Sequence, residues 1–422
     1  MTRRPIAISD SANFYVSCER LFDPSLRTAP VIVLSNNDGC AVARSDEVKP
    51  WVKMGEPLHL IRDKVEARGV RVFSSNYTLY ADLSRRVVDT YADFSPHVEI
   101  YSIDECFLDF DGFREREAHA RAMRAAVLRR VGIPVRVGIA PSKTLAKAAN
   151  ELAKKNPVFD GVLDLMDEGL ARWLLPRVPV GDIWGIGHRT EAKLRALGIG
   201  TAAELRDMPI RQARAVGTVV LERTVLELQG EPCLSLEEVE PQRKGMAVTR
   251  SASTPMTDFD TLFQAITAHA TRAAEKLRQH GLVAGTLTVI FHTNKHRADR
   301  PQWSAARSTK LTPMSSDTFD LVEAARRCAR SGWPKDGRTY GFTKAGVLLD
   351  DLLPIEDRPR TLFDAMRPKS AQLMSALDQV NDRFGKKTLV LASEGMKRPW
   401  ALRADHRSPR YTTRIEDLPV VR

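Results

Sequence analysis

The sequence of 422 residues lacks any long apolar segment of the kind that crosses a membrane. A transmembrane helix needs roughly 20 consecutive apolar residues, and no run in this sequence approaches that length. Residues 1–4, which include Arg3 and Arg4, precede an apolar stretch that is too short to be the core of a signal peptide. We therefore expect a soluble, cytoplasmic protein with no membrane partner.

Cysteine is also scarce. The chain has five cysteines, an odd number, and their positions lack the short spacings that bind zinc. The pattern therefore supports neither a secreted disulfide framework nor a zinc domain. We expect reduced, mostly buried thiols at Cys18, Cys40, Cys106, Cys233 and Cys328.

Basic residues outnumber acidic ones. The chain has 64 Lys+Arg against 53 Asp+Glu, which gives a net charge of +11 and a pI near 9.5. Such an excess suits a polyanion partner, because each phosphate contact releases counterions and adds affinity. Many basic proteins bind no polyanion, so charge alone leaves both interpretations open. The length is sufficient for three or four domains with hydrophobic cores.

One apolar stretch, residues 98–110, carries two adjacent acids. It is bounded by Pro96 and Gly112, a pattern typical of a β-hairpin, and it would place Asp104 and Glu105 at the tip. Adjacent carboxylates in apolar surroundings are costly to keep charged unless a cation neutralises them. Carboxylate oxygens suit Mg²⁺ or Mn²⁺, whereas the alternative is an ordinary solvated turn.

A further acid, Asp10, ends a short apolar strand over residues 5–10 and precedes an aromatic turn and a helix. An acid at a strand end can join a carboxylate pair carried by a neighbouring hairpin. Three carboxylates that converge on two divalent ions are suited to in-line phosphoryl transfer. This second feature favours a metal site over a solvated turn at the hairpin tip.

Six motifs, taken in their order along the chain, resemble those of the Y-family, or translesion, DNA polymerases, and among these the UmuC-type subfamily. The resemblance covers nearly the whole chain, although no single motif is decisive. The motifs are Asp10 with Phe14-Tyr15, LSNNDGC (34–40), FSSNY (73–77), YSIDE (101–105), DIWGIG (182–187) and SPRYTTR (408–414).

The resemblance implies an α+β multidomain protein with the right-hand architecture of a polymerase. The expected parts are a ferredoxin-like catalytic palm (1–14 and 80–170), small fingers (15–79), a helical thumb with a helix-hairpin-helix (171–240), a β-α-β-β-α-β little finger that binds DNA (246–350) and a C-terminal partner-binding region (351–422).

Local patterns predict several elements within these parts. Strands are expected at 30–34, 41–44 and 135–140, with a helix start at Ser45 and helices at 80–94, 115–131 and 370–384. The little finger should have strands at 246–251, 285–293, 302–311 and 340–349, and helices at 259–279 and 317–330.

The resemblance also implies roles for residues of the site. Two Mg²⁺ ions, with Mn²⁺ as a substitute, would be held by Asp10, Ser11, Asp104 and Glu105. Tyr15, beside Phe14, would be the steric gate that selects dNTP over rNTP; without the resemblance it is a core aromatic. Lys49 and Lys154 would bind the triphosphate. The remaining lysines of the helix that begins after Ser142 (Lys143, Lys147 and Lys155) are expected on a solvated face.

Around Lys49 the chain departs from the family pattern. The family often has an aromatic residue and an arginine nearby, whereas Asp46 and Lys49 stand here. A solvated surface lysine is the alternative interpretation of Lys49.

Two regions are expected to bind DNA. Gly185 and Gly187, followed by Lys193, would let backbone N–H groups approach a phosphate, although a plain helical turn is the alternative. In the little finger the expected phosphate contacts come from Arg250, Lys295, Arg297, Arg307 and Lys310.

The function implied is error-prone translesion synthesis on primer-template DNA with dNTPs in the SOS response. A UmuD′-type subunit and a RecA filament are the expected partners, with nucleoid association, and the sliding clamp would bind at Leu362-Phe363, where the usual leading glutamine is absent. The tail around 408–414 would serve partner docking. One alternative is a non-catalytic recruitment subunit, which should have lost a metal carboxylate. The other is a nucleotide cyclase, which would not need a helix-hairpin-helix or a basic third domain to bind duplex DNA.

Overall fold

The computed structural model describes residues 4–237, 243–359, 369–396 and 398–418, and it forms two compact units. The first unit contains described residues 4–35, 39–237 and 406–418, and the second contains 36–38, 243–359, 369–396 and 398–405. Within these ranges no helix combines the length and the apolar character needed to span a bilayer. All five cysteines are free thiols, and three of them are buried.

The first unit contains eight strands and nine α-helices among its described residues. Its strands are β1 (Ile6–Ser11), β2 (Val31–Leu34), β3 (Ala41–Arg44), β4 (Arg71–Ser74), β5 (Val98–Ile100), β6 (Glu105–Asp109), β7 (Val135–Ala140) and β8 (Val162–Asp164). Its helices are α1 (Phe14–Phe22), α2 (Leu58–Ala67), α3 (Tyr77–Tyr91), α4 (Arg116–Val131), α5 (Lys143–Lys155), α6 (Glu168–Leu174), α7 (His188–Ala196), α8 (Ala202–Arg206) and α9 (Ile210–Leu228).

Strand β1 lies at the centre of a five-stranded sheet with the order β5-β6-β1-β7-β8. Alternate side chains of β1 point to opposite faces and are buried in different cores. Ala7 packs in the core that contains α3 and α4, whereas Ile6 and Ile8 pack in the core that contains α5. The sheet is therefore covered on both faces, as the apolar composition of its central strands requires.

Helix α5 lies unusually close to strand β7 at Gly138. A Cβ atom there would lie 2.2 Å from the carbonyl oxygen of Ala146 and 2.3 Å from the amide nitrogen of Asn150. Only a glycine accommodates this backbone approach. The helix begins as predicted, because the Ser142 hydroxyl accepts a hydrogen bond from the Leu145 amide.

A second sheet in this unit has the order β3-β2-β4. The predicted helix start at Ser45 is wrong, since residues 46–51 form turns and α2 begins only at Leu58. The Ser45 hydroxyl accepts a hydrogen bond from the Val31 amide, so it provides a partner for a backbone amide of β2 rather than capping a helix. Pro50 also opposes a continuous helix, because it lacks an amide donor. Helix α3 begins at Tyr77, three residues before the predicted start.

Helices α6 to α9 share a hydrophobic core with α5. Glu227 of α9, almost fully buried, joins the two parts by accepting hydrogen bonds from the amide (2.9 Å) and hydroxyl (2.8 Å) of Thr144. The segment 406–418 returns to this unit and contacts α1, α3 and the end of β4.

The second unit confirms the predicted strand and helix order. Its strands are β9 (Gly245–Met256), β10 (Leu282–Thr293), β11 (Ser304–Ser315) and β12 (Phe342–Pro354), and its helices are α10 (Phe259–Gln279), α11 (Thr318–Gly332) and α12 (Ser370–Phe384). The sheet order is β11-β10-β12-β9, and α10 and α11 pack on one of its faces.

Candidate active site

The three predicted metal carboxylates occupy neighbouring backbone positions at one end of the five-stranded sheet. Asp10 on β1 is directly paired with Glu105 on β6. The Ser11 amide donates a hydrogen bond of 2.9 Å to the Asp104 carbonyl, which fixes the hairpin turn beside the end of β1. The strand register, rather than proximity in the sequence, therefore brings these acids together.

The surroundings of Asp10 disfavour its charged form. Burial raises its pKa to about 6, and the negative charges of Glu105 and Asp104 add to the increase, while Lys154 and Arg136 oppose it. Burial and like charge both disfavour a carboxylate, so a cation that neutralised the group would bind favourably.

The donor chemistry fits a hard divalent cation, because every predicted ligand atom is an oxygen. Within the described part of the chain, no three His, Cys, Asp or Glu side chains are grouped closely enough to hold a metal ion. Two of the acids are engaged by protein partners: Glu105 accepts from the Lys147 ammonium at 2.8 Å, and Asp104 accepts from the Ser102 hydroxyl at 2.6 Å. Both contacts would have to rearrange in a metal-bound state.

Lys147 lies in an aromatic enclosure. Its Nζ is 4.5 Å from the centre of the Tyr101 ring and 5.5 Å from that of Trp184, and the Trp184 indole donates a hydrogen bond of 2.9 Å to the Tyr101 hydroxyl. Cation–π contacts of this kind hold a lysine in place.

The expectation that Lys143 and Lys147 lie on a solvated face is therefore wrong. Lys143 is buried and donates to both Glu99 carboxylate oxygens, at 2.8 and 2.6 Å. Both lysines pack against acids on β5 and β6 because α5 covers this face of the sheet. Lys155, by contrast, is exposed, as predicted, and donates to Asp182.

Tyr15, the predicted steric gate, lies in the first turn of α1. Its ring stacks on Tyr80 of α3, with centroids 4.4 Å apart, and meets Tyr77 edge-on. Burial raises the pKa of the Tyr15 hydroxyl to about 12, so the phenol is neutral at physiological pH. Phe14, the neighbouring residue, is buried in the core.

The two predicted triphosphate lysines differ in their surroundings. Lys154 acts electrostatically on Asp10, and its Nζ is 3.7 Å from a Glu151 carboxylate oxygen. Lys49 donates to Asp46 at 2.6 Å, and both side chains are substantially exposed. Of the two predicted triphosphate lysines, Lys154 is thus the one that the structure associates with the carboxylates.

Sequence reasoning missed Arg136. This residue pairs with Asp10 across β1 and β7, on the side opposite Glu105. Its Nη1 atom is buried and has no hydrogen-bond partner among the described residues, and its charge reaches both Asp10 and Asp46. A lone arginine in an otherwise apolar strand was the available signal.

The predicted phosphate-binding glycines precede a helix. Gly185 has a φ of +87°, which favours glycine, and Gly187 is the N-cap of α7. Lys193 lies within α7, and its Nζ is 3.5 Å from the Val216 carbonyl oxygen. No side chain of the described residues caps the start of α7, so the amides there are available to an anion.

The predicted DNA-binding cations of the second unit occupy different faces of its sheet. Arg250 pairs with buried Ala345, and Arg307 pairs with buried Val289, so both belong to the face that carries the helices. Lys310 is on the open face.

Two of these cations are paired with acids, whereas Lys295 is exposed in the loop after β10. Lys310 donates to Asp351 at 2.8 Å, and Arg297 donates to both Asp299 oxygens. Lys344, which pairs with His292 on the open face, is a further cation that the sequence analysis did not select. The predicted clamp residues Leu362 and Phe363 lie outside the described residues.

Four family models match the chain. They are the impB/mucB/samB family (residues 9–151), the family's HHH motif (169–199), its C-terminal domain (243–362) and a domain of unknown function (371–421). Among similar proteins, Protein UmuC of Salmonella typhimurium strain LT2 is 44% identical over 98% of this chain and 99% of its own length. Protein ImpB of Salmonella typhimurium is 41% identical over 99% of each, and DNA polymerase IV of Moorella thermoacetica is 29% identical over 91% of this chain and 94% of its own length.

Solved structures with the same fold are Y-family DNA polymerases. A Dbh–Dpo4 chimera matches with a TM-score of 0.67 at 20% identity, covering 83% of this chain and 99% of the chimera. An insertion ternary complex of Dbh DNA polymerase matches with a TM-score of 0.54 at 19% identity, covering 82% and 98%. The predicted right-hand α+β fold and family resemblance are confirmed. The chain belongs to the impB/mucB/samB family of Y-family DNA polymerases and is a DNA-directed DNA polymerase.

Proposed function

We propose that this polymerase adds dNTPs to a primer 3′-hydroxyl opposite damaged template bases. The observation that carries the proposal is the pairing of Asp10 with Glu105, with Asp104 fixed beside them by the Ser11 amide. Strand pairing fixes the backbone spacing of Asp10 and Glu105, and the Ser11 amide holds Asp104 beside them, which supports a shared role as metal ligands.

Asp10, Asp104 and Glu105, with Ser11, are proposed to hold two Mg²⁺ ions, for which Mn²⁺ could substitute. When bound, such ions activate the attacking hydroxyl and neutralise the leaving pyrophosphate. Asp10 would lose the proton that its raised pKa favours, and Glu105 would release Lys147. The freed ammonium would remain between Tyr101 and Trp184, close to the accumulating phosphate charge.

Lys154, Arg136 and Lys49 would orient the triphosphate. Lys154 and Arg136 already act on Asp10, so both lie near the reacting phosphates if the carboxylates hold the ions. The unpartnered Nη1 of Arg136 supports this role, because a buried guanidinium donor is costly unless a ligand accepts from it. Lys49 would have to leave Asp46.

Tyr15 would exclude ribonucleotides by occupying the space of a 2′-hydroxyl. Its stacking on Tyr80 supports this role, since a restrained ring rejects a bulky sugar more sharply than a mobile one.

We assign the palm to the five-stranded sheet with its helices, the fingers to the sheet β3-β2-β4 with α2, the thumb to α6–α9 and the little finger to β9–β12 with α10 and α11. Fingers of three short strands would cover the nascent base pair loosely. A loosely covered base pair would lower fidelity and admit damaged bases, because an enzyme rejects a mispaired base by its shape only when the pocket fits tightly.

DNA would be bound by the amides around Gly185 and Gly187, with Lys193, and by the cations of the second unit. Lys310 and Lys344 share the open face, and release of Lys310 from Asp351 would free it for a phosphate.

Regulation and location follow from the similarity to UmuC. We include in the proposal a role in the SOS response on the cytoplasmic nucleoid, with a UmuD′-type subunit, a RecA filament and the sliding clamp as partners.

Primer extension across an abasic site, with and without a UmuD′-type subunit and a RecA filament, tests the whole proposal. Asp104→Ala should abolish incorporation and leave duplex binding nearly unchanged. Incorporation by that variant would remove Asp104 from the metal site. A wild-type chain that binds duplex but incorporates nothing under any condition would favour the recruitment subunit instead.

A further inference from the structure

One face of helix α1 carries the predicted sugar gate and two contacts to the C-terminal segment. Tyr15, Glu19 and Phe22 are spaced at i, i+4 and i+7, which places them in one row along the helix. Tyr15 stacks on Tyr80 of α3, and Phe22 stacks on Tyr411 with ring centroids 4.6 Å apart. The row therefore connects the gate to the tail within the first unit.

Glu19 is the central residue of this row and is 2% exposed. A single carboxylate oxygen, Oε1, accepts hydrogen bonds from the Tyr80 hydroxyl at 2.6 Å and from the Ser408 hydroxyl at 3.0 Å. Burial raises the pKa of Glu19, while these two donors oppose the increase. The buried carboxyl thus depends on one donor from α3 and one from the tail.

The Ser408 hydroxyl is itself held in position. Asn76, 1% exposed, donates through its side-chain amide to the Ser408 hydroxyl (3.0 Å), the Ser408 carbonyl (3.0 Å) and the Pro409 carbonyl (3.1 Å). Because Asn76 donates to the hydroxyl oxygen, the Ser408 proton remains available to Glu19. Two reciprocal bonds between Ser74 and His406 fix the start of the segment.

We propose that the tail segment 406–412 positions the gate residue, and that Ser408 does so through Glu19 and Tyr80. The proposal rests on the proposed function and deepens it: the C-terminal segment, which lies in a matched domain of unknown function, would set the sugar selectivity of the polymerase. Ser408 is a positioning residue, since its hydroxyl is engaged by Glu19 and Asn76 and acts on the gate only through Glu19 and Tyr80. The partner-docking prediction for 408–414 stays a prediction.

The test uses the full chain and compares Ser408→Ala, Tyr80→Phe and the double variant with wild type. The measured quantity is the ratio of kcat/KM for a dNTP to that for the matching rNTP. Each single change should lower the ratio by about three- to tenfold, on the scale of one lost hydrogen bond to a charged group. The double variant should be no worse than the more severe single variant, because both break one chain of contacts.

Thr413→Ala is the matched control, since Thr413 directly follows the segment 406–412, is exposed, and its side chain makes no hydrogen bond in the described structure. It should leave the ratio unchanged. Tyr15→Ala should strongly lower the ratio and is the positive control, because it shows that the assay detects a loss of sugar selectivity.

A second measurement does not depend on catalysis. Amide hydrogen exchange within Phe14–Phe22 should accelerate in Ser408→Ala and not in Thr413→Ala. If Tyr15→Ala loses sugar selectivity while Ser408→Ala keeps both its selectivity and its exchange protection, the tail has no positioning role and the polymerase proposal stands. If wild type incorporates no dNTP, the proposed function fails, and unchanged exchange in Ser408→Ala would separately overturn the link between tail and helix.

Discussion

The Lys147 ammonium lies 2.8 Å from Glu105 Oε1, so a lysine of α5 neutralises one of the three candidate metal-binding carboxylates. A cation that bound Glu105 would have to displace this lysine. Lys147→Gln should therefore lower the concentration of Mg²⁺ or Mn²⁺ at half-saturation, by roughly three- to tenfold for one removed competing charge. Titration with Mn²⁺ followed by electron paramagnetic resonance measures this directly.

Lys155→Gln is a suitable control for that titration, because Lys155 is an exposed lysine of the same helix and contacts Asp182 instead. Weaker metal binding by Lys147→Gln would mean that the lysine supports Glu105 rather than competing for it.

Asp10 should limit stability in the metal-free protein. Its pKa is raised from 3.8 to about 6, so stability is lost as pH rises from 3.8 to about 6 and the full loss persists above that window. Asp10→Asn should raise the free energy of unfolding at pH 8 in EDTA by about 1–3 kcal/mol and have little effect at pH 4. The same change should abolish primer extension.

Denaturant unfolding at the two pH values checks the stability effect of Asp10, with exposed Asp63→Asn as the control. A variant that is less stable at pH 8 would contradict the electrostatic account.

Tyr15→Ala should admit ribonucleotides, whereas Tyr15→Phe should retain dNTP selectivity because it keeps the stacked ring. The expected loss in Tyr15→Ala is at least tenfold in the ratio of kcat/KM values, on the scale of one excluded group in a fitted pocket. Equal selectivity of the two variants would rule out the ring as the gate.

Arg136→Ala should raise the KM for dNTP by about tenfold or more, since a buried charge-assisted contact to a phosphate is worth roughly 1.5–3 kcal/mol. Single-nucleotide insertion kinetics provide the measurement. Arg129→Ala, an exposed arginine of α4, is the control. An unchanged KM with a lower kcat would instead place Arg136 with the carboxylates.

His269 should make the second unit acid-sensitive. Burial, then the charges of Arg250 and Lys387, lower its pKa from 6.5 to about 4, and its ring meets Trp400 edge-on. Between pH 6.5 and 4, His269 is therefore protonated in the unfolded chain but remains neutral in the folded chain. Up to about 3 kcal/mol of stability should be lost over that window as pH falls.

His269→Phe should remove most of this acid sensitivity, whereas exposed His280→Gln should preserve it. The midpoints of urea unfolding at pH 7 and pH 4.5, measured for both variants, provide the comparison. An unchanged pH dependence in His269→Phe would show that other groups govern acid unfolding.

The elements and carboxylates were accessible to sequence reasoning because their signals are local. Alternation in 135–140 and the acidic hairpin around Asp104 depend on neighbouring residues, and both appear where predicted. Arg136 and the ion pair of Lys147 with Glu105 were missed because they depend on strand register and on where α5 lies. The link from Ser408 to Glu19 joins residues at opposite ends of the chain, which no periodicity reveals.

The close approach at Gly138 determines how near α5 can come to β7. Lys147 and Lys154 both belong to that helix, so their distances from the carboxylates are set by a position that bears no side chain. Even an alanine there would displace the helix and withdraw two positive charges from the site. We therefore expect Gly138→Ala to lower primer extension although it removes no polar group, because the added methyl group would push α5 away from β7.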